Sequence, residues 1–290
     1  MKKYLGLLVA LLLCAVLLSG CSDGATKGEY FTYIVETDGT ATITGYIGNE
    51  RAVVIPKKID GHKVCEIGAG AFDENTIVET ITLQDGIQKI GPRAFASCSN
   101  LTEIIISDTV SYIGEYAFQE TSLESISIPE GITCIEKGTF YKCEKLNEVK
   151  LPESMEYIAE SAFCNCKRLY YIHLPDNVYY IGESAFLHSG LRRIEMPTQI
   201  KEENWKYAEI GRYAFADSDI RTITIPEGIH SIGFRAFNDC YFLSEIVIPA
   251  TVTSIGDDIF LGVNVEKIIV EKDSYAAHFF YNHKGRVIVE

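Results

Sequence analysis

One residue type recurs along this chain at a spacing that few folds can accommodate. Phenylalanine stands at Phe72, Phe95, Phe118, Phe140, Phe163, Phe186, Phe215, Phe237 and Phe260, giving intervals of 23, 23, 22, 23, 23, 29, 22 and 23 residues. Five residues before each Phe lies an isoleucine, from Ile67 to Ile255, and glycine follows it in seven of the nine cases. About six residues after each Phe come three apolar residues spaced by three and two, as in Leu146, Val149, Leu151 and Leu169, Ile172, Leu174. Pro129, Pro152, Pro175, Pro197, Pro226 and Pro249 close most of these runs.

Each unit therefore reads Leu-x-x-Ile-x-Ile-Pro, a short strand with alternate side chains on one face, stopped by a residue that has no amide hydrogen for a ladder. A second, shorter strand ends at the Ile of Ile-Gly, where glycine permits a turn that a Cβ would oppose. A unit of 22–23 residues has nothing of its own to bury its apolar face against. It must stack on its neighbours, and the result is a solenoid of parallel strands. Nine such coils at ~4.8 Å per strand form a rod on the order of 40 Å long, with the Phe rings expected as an internal ladder.

The unit, Val-x-x-Ile-Gly-x-x-Ala-Phe-x-x-Cys-x-x-Leu-x-x-Ile-x-Ile-Pro, resembles the BspA-type leucine-rich repeat of bacterial surface proteins, over roughly residues 52–270. The resemblance implies an all-β-rich solenoid, a right-handed rod of about nine coils with caps at both ends, and surface adhesion or recognition without a named ligand. The expected N-terminal β cap covers 30–56, with alternating strands Phe31 to Val35 and Ala41 to Tyr46 around Asp38-Gly39. The solenoid is expected over 57–270. A C-terminal cap follows over 271–290, where Ser274 N-caps a short helix from Tyr275 to Tyr281 and Arg286 to Glu290 add a last strand.

The chain start reads as an export signal over 1–20: Lys2 and Lys3, an apolar run from Leu5 to Leu18, then Ser19-Gly20. That run is short for a helix crossing a ~30 Å hydrocarbon core. Leu18-Ser19-Gly20-Cys21 resembles a bacterial lipobox, which implies a diacylglyceryl group on the Cys21 thiol, cleavage before it, and a tether over 21–29. Loss of the two lysines takes the formal charge from −14 to −16. An acidic surface is repelled by anionic lipid, so the expected attachment is through the lipid on Cys21 alone, with the protein facing the cell exterior. The same charge, without a long basic run, argues against a nucleic-acid partner.

Of nine cysteines, Cys98, Cys143, Cys166 and Cys240 sit three residues after a repeat Phe. A consensus position of this kind reads as small buried thiols. Cys143 and Cys166, in successive coils, are the pair closest to a disulfide arrangement. None of the six histidines forms His-Glu-x-x-His, and His278 with His283 lacks a carboxylate at ligand spacing, so no metal or cofactor is expected. No catalytic motif appears, and a chain made of repeats and caps leaves no separate catalytic domain.

What remains is recognition surface. Residues flanking the inward one on each main strand must point outward: Thr80/Thr82, Glu103/Ile105, Ser125/Ser127, Glu148/Lys150, Tyr171/His173, Arg193/Glu195, Thr222/Thr224, Glu245/Val247 and Lys267/Ile269. The one long interval, between Phe186 and Phe215, adds Trp205, the only Trp, and Tyr207. The candidate binding residues are thus Tyr171, His173, Arg193, Glu195, Trp205 and Tyr207, for a host or bacterial surface protein or glycan. A passive envelope spacer, or an enzyme with an unrecognised site, is the other reading.

Overall fold

The computed structural model describes residues 24–281 and 287–289. The expected signal over 1–20, Cys21, His283, Arg286 and Glu290 lie outside the described residues. The chain winds as a parallel β-solenoid of about eleven turns, more than the nine Phe coils because both caps add turns of their own.

The main face carries the three- and four-residue strands, among them Glu103–Ile105, Ser125–Ser127, Glu148–Lys150, Tyr171–His173, Arg193–Glu195 and Thr222–Thr224. Where they pair they do so in register, Ile126 beside Val149 and Ile172 beside Ile194. The central Ile or Val is buried and its neighbours face solvent, the alternation expected of a strand with one face on the core. Pairing on this face is interrupted between Glu103–Ile105 and Ser125–Ser127, between Glu148–Lys150 and Tyr171–His173, and between Arg193–Glu195 and Thr222–Thr224.

The second face stacks two-residue strands such as Tyr157–Ile158, Tyr180–Ile181 and Glu209–Ile210. Here the glycine after Ile serves close approach of one coil to the next, which corrects the expected turn. A Cβ would stand 2.7 Å from the Ala69 nitrogen at Gly91, 2.6 Å from the Pro92 nitrogen at Gly114 and 2.4 Å from the Phe234 nitrogen at Gly256. None of these glycines has a positive φ. The ladder breaks between Tyr112–Ile113 and Cys134–Ile135, in the coil where Glu136 replaces the glycine.

The Phe turns form the third face. Phe95 N donates to Ala117 O at 2.9 Å and Phe163 N to Ala185 O at 2.8 Å, so each coil is tied to the next here too. Residues two before and two after the Phe are left-handed, for example Ser161 (φ 56°) and Asn165 (φ 62°). That conformation costs a non-glycine residue roughly 1–2 kcal/mol. It is offset because it aims their amides at the next coil, Ser161 at Glu183 O and Asn165 at Leu187 O.

Inside, the expected ring ladder is present. Successive Phe centroids lie 5.2 Å apart at Phe72–Phe95, the closest pair, and 6.1 Å at Phe237–Phe260, the widest. The caps supply further rungs: Phe31 packs at a tilt against Tyr46 and Tyr46 stacks on Phe72 at one end, and Phe280 covers Phe260 at the other. Phe31–Val35 and Ala41–Tyr46 pair as an antiparallel hairpin whose second strand runs parallel to His62–Ile67. The first rung of the main face, Ala52–Val54, pairs with Thr80–Thr82 and falls within the segment assigned to the cap. At the far end the Ser274 hydroxyl accepts from Ala277 N at 3.1 Å, capping the helix Tyr275–Phe279, and Val287–Val289 joins Lys267–Val270.

The buried cysteines form a ladder of their own. Each Sγ donates to the Phe carbonyl of the preceding coil: Cys98 to Phe72 at 3.0 Å, Cys143 to Phe118 at 2.9 Å, Cys166 to Phe140 at 3.2 Å and Cys240 to Phe215 at 3.0 Å. Cys143 and Cys166 are unbonded to each other. Burial pushes the thiols up, to about 12 at Cys98 and about 11 at Cys143 and Cys240, so the thiolate needed for reactivity is suppressed. Ser189 occupies the same position, buried, and its hydroxyl has no partner. Ser189→Cys places a longer bond and a donor toward the Phe163 carbonyl, and is expected to stabilise the rod by ~1 kcal/mol in chemical denaturation. A loss of stability in this variant would show that the thiol ladder does not extend to this coil.

Candidate functional site

The strands Tyr171–His173 and Arg193–Glu195 are parallel neighbours with Tyr171 opposite Arg193 and His173 opposite Glu195. Alternation turns Ile172 and Ile194 inward, so the other four side chains meet on the solvent side. Glu195 is their centre. Its carboxylate accepts from the Tyr171 hydroxyl at 2.6 Å and from Arg193 Nη2 at 2.5 Å, and His173 Nδ1 stands 3.3 Å away. The Tyr171 hydrogen bond, with the Arg193 charge behind it, holds this carboxyl below its usual range. The same bond pushes the Tyr171 phenol up.

Two residues join this group that strand alternation did not select. The Arg193 guanidinium carbon lies 5.6 Å from the Tyr171 ring centroid, and beside it Arg192 lies 4.5 Å from Tyr170. Tyr170 and Tyr171 remain 45% and 43% exposed, so flat aromatic faces and guanidinium edges are presented together. The signal available in the sequence was the doublet itself: Tyr-Tyr at 170–171 and Arg-Arg at 192–193 fall in register in successive coils.

The insertion divides its two aromatic residues. It folds as a 3-10 turn over Glu202–Tyr207. Trp205 is half-buried, its Nε1 donates to Ile200 O at 2.8 Å, and its ring lies 5.9 Å from that of His230. Gly228 leaves the room: a Cβ there would stand 2.5 Å from Trp205 Nε1. Trp205 thus seals the wall where the coil is longer, and Tyr207 projects, 56% exposed. Elsewhere, His278 Nδ1 is engaged with Ser274 O at 2.8 Å, and among the described residues no three His, Cys, Asp or Glu side chains gather as a metal site.

This arrangement suits contact more than turnover. Its polar atoms satisfy one another on an open surface, which offers stacking faces and charged hydrogen-bond partners to another molecule.

Comparison with known proteins agrees with this geometry. The model of the BspA type leucine rich repeat region matches residues 65–192 and 160–285. A leucine-rich repeat protein from Bacteroides ovatus is 26% identical with a TM-score of 0.63, over 90% of this chain and 75% of that one. A leucine rich cell surface protein from Faecalibacterium prausnitzii is 27% identical with a TM-score of 0.53, over 85% of this chain and 76% of that one. The pneumococcal vaccine antigen PcpA, at 19% identity and a TM-score of 0.56 over 84% of this chain and 82% of its own, shares the fold. No curated protein matches the sequence significantly. The repeat period, the Phe ladder and a family match spanning most of its length make this chain a member of the BspA-type leucine-rich repeat family.

Proposed function

We propose that the protein is a lipid-anchored cell-surface recognition module that binds a protein or glycan partner through the strand face at Tyr171, His173, Arg193 and Glu195, with the exposed Tyr207 of the insertion contributing and Trp205 supporting the insertion's wall. The single observation that carries this reading is the pair of exposed Tyr–Arg stacks on adjacent coils. Aromatic and Arg side chains are the ones that most often dominate binding energy, and on a rigid ladder they are held in place before a partner arrives. The relative from Faecalibacterium prausnitzii is described as a cell surface protein, which supports a surface role for this chain.

The test is a variant with Tyr171→Ala, Arg193→Ala and Tyr207→Ala, compared with the unaltered protein for capture of partners from native cells. Loss of two hot-spot side chains at ~2 kcal/mol or more each corresponds to roughly a 10³-fold loss of affinity, with thermal stability kept because the three are exposed. Undiminished capture would move the site elsewhere on the rod, and an absence of any partner would favour a passive spacer.

A further inference from the structure

The strand face carries two grooves of opposite charge, and each lies where pairing between neighbouring strands is interrupted. One, about 390 Å³, opens between Glu103–Ile105 and Ser125–Ser127, with Glu103, Asp108 and Glu130 against Lys150. The other, about 690 Å³, opens between Arg193–Glu195 and Thr222–Thr224, with Arg192, Arg193 and Arg221 against Glu195. In a chain with 40 acidic and 26 basic side chains, the second groove reverses the prevailing sign.

Its arginines are unequally engaged. Arg193 is held by Glu195 at 2.5 Å, and Arg192 lies 3.7 Å from Asp219. Arg221 is exposed and, among the described residues, its guanidinium is in no ion pair or hydrogen bond, although its carbonyl accepts from the Ser244 hydroxyl. Its guanidinium fork is open to the groove's solvent, next to the exposed hydroxyl residues Thr222, Thr224 and Thr198.

We propose that this groove binds the carboxylate groups of an acidic polysaccharide, an inference that rests on the strand-face reading above and names its ligand class. Guanidinium groups pair with carboxylates through two parallel hydrogen bonds. The Tyr170 and Tyr171 rings, exposed on the coil before the groove, supply faces for sugar rings that extend past it, and the threonine hydroxyls in the groove match sugar hydroxyls. An acidic peptide fits less well, because Ile194 and Ile223 in the groove floor are buried and only the half-buried Met196 is left to receive an anchoring apolar side chain. The acidic groove further along the same face repels a polyanion and confines it to the arginine end.

The experiment measures binding of polygalacturonate, its fully methyl-esterified form and poly-glutamate to the unaltered protein and to an R193Q/R221Q variant. Binding of polygalacturonate alone is expected, weakening as salt rises and falling roughly 10- to 100-fold in the variant, whose melting temperature stays unchanged. Glu195→Gln, which releases Arg193, is expected to tighten binding. Equal binding of the methyl ester, unaltered affinity in the variant, or no binding of any probe would overturn the proposal. Capture of poly-glutamate without polygalacturonate would overturn it in favour of an acidic protein. The broader recognition reading fails separately, if the Tyr171/Arg193/Tyr207 variant captures partners from native cells as well as the unaltered protein does.

Discussion

Phe163→Ala is expected to destabilise the rod by ~3–5 kcal/mol, the range for deleting a fully buried aromatic ring. The ring is completely covered and stacked between Phe140 at 5.3 Å and Phe186 at 5.4 Å, both nearly parallel to it. In a solenoid each coil is stabilised only by its neighbours, so a mid-rod deletion weakens two interfaces at once and leaves a cavity that flanking coils cannot fill without breaking their backbone ties. A comparison within the same ladder sharpens the test. Phe260 is half-buried and lies 6.1 Å from Phe237, so Phe260→Ala should cost clearly less in the same denaturant titration. Equal losses at the two positions, or a mid-rod loss below ~1 kcal/mol, would mean the ladder is not what ties the coils together.

The architecture was legible because a repeat multiplies a weak signal. One Phe with an Ile five residues ahead means little, but nine such pairs fix the register of every strand, and with it the inward and outward assignments at Tyr171, Ile172 and His173. The caps were read from ordinary alternation and a turn dipeptide. Their role as extra rungs, Tyr46 under Phe72 and Phe280 over Phe260, lay outside the repeat and so carried no periodic mark. The purpose of the Ile-Gly glycine was misread for a related reason. A sequence shows that a Cβ is avoided, and only packing shows whether the obstacle is the residue's own backbone conformation or, as at Gly256, the backbone of the coil beside it.

The candidate site was legible by halves. Register alone brings Tyr171, His173, Arg193 and Glu195 together, because parallel pairing places residues 22 apart side by side. The insertion follows no register, and nothing in its sequence tells that Trp205 turns to Ile200 and His230 with only Tyr207 left projecting. The two grooves were hidden for another reason. They depend on where strand pairing lapses, which coil length does not reveal, since spacings of 22 and 23 residues occur both where neighbouring strands pair and where they do not.

Replacing residues 1–21 with a cleavable export signal that lacks a lipobox is expected to shift the protein completely from the membrane to the soluble fraction. Two acyl chains contribute ~0.8 kcal/mol for every CH₂ they bury, a total far beyond what any surface contact offers. No helix among the described residues is long and apolar enough to cross a membrane. The acidic surface opposes contact with anionic lipid. Attachment at Cys21 also orients the site. Under the proposed anchoring the tether joins the N-terminal hairpin end, and the coil bearing Tyr171 lies roughly 30 Å further along the rod, about six coils at ~4.8 Å each. With the rod standing off the bilayer, that separation is several times the ~8–10 Å screening length of physiological salt, and lipid phosphates would neither repel a polyanionic partner from Arg193 and Arg221 nor compete with it. Fractionation of cells expressing each form, with the mass of the mature N-terminus, decides the matter. Membrane retention of the variant with the exchanged signal, or an unmodified N-terminus at a residue other than Cys21, would refute the anchor and the orientation that depends on it.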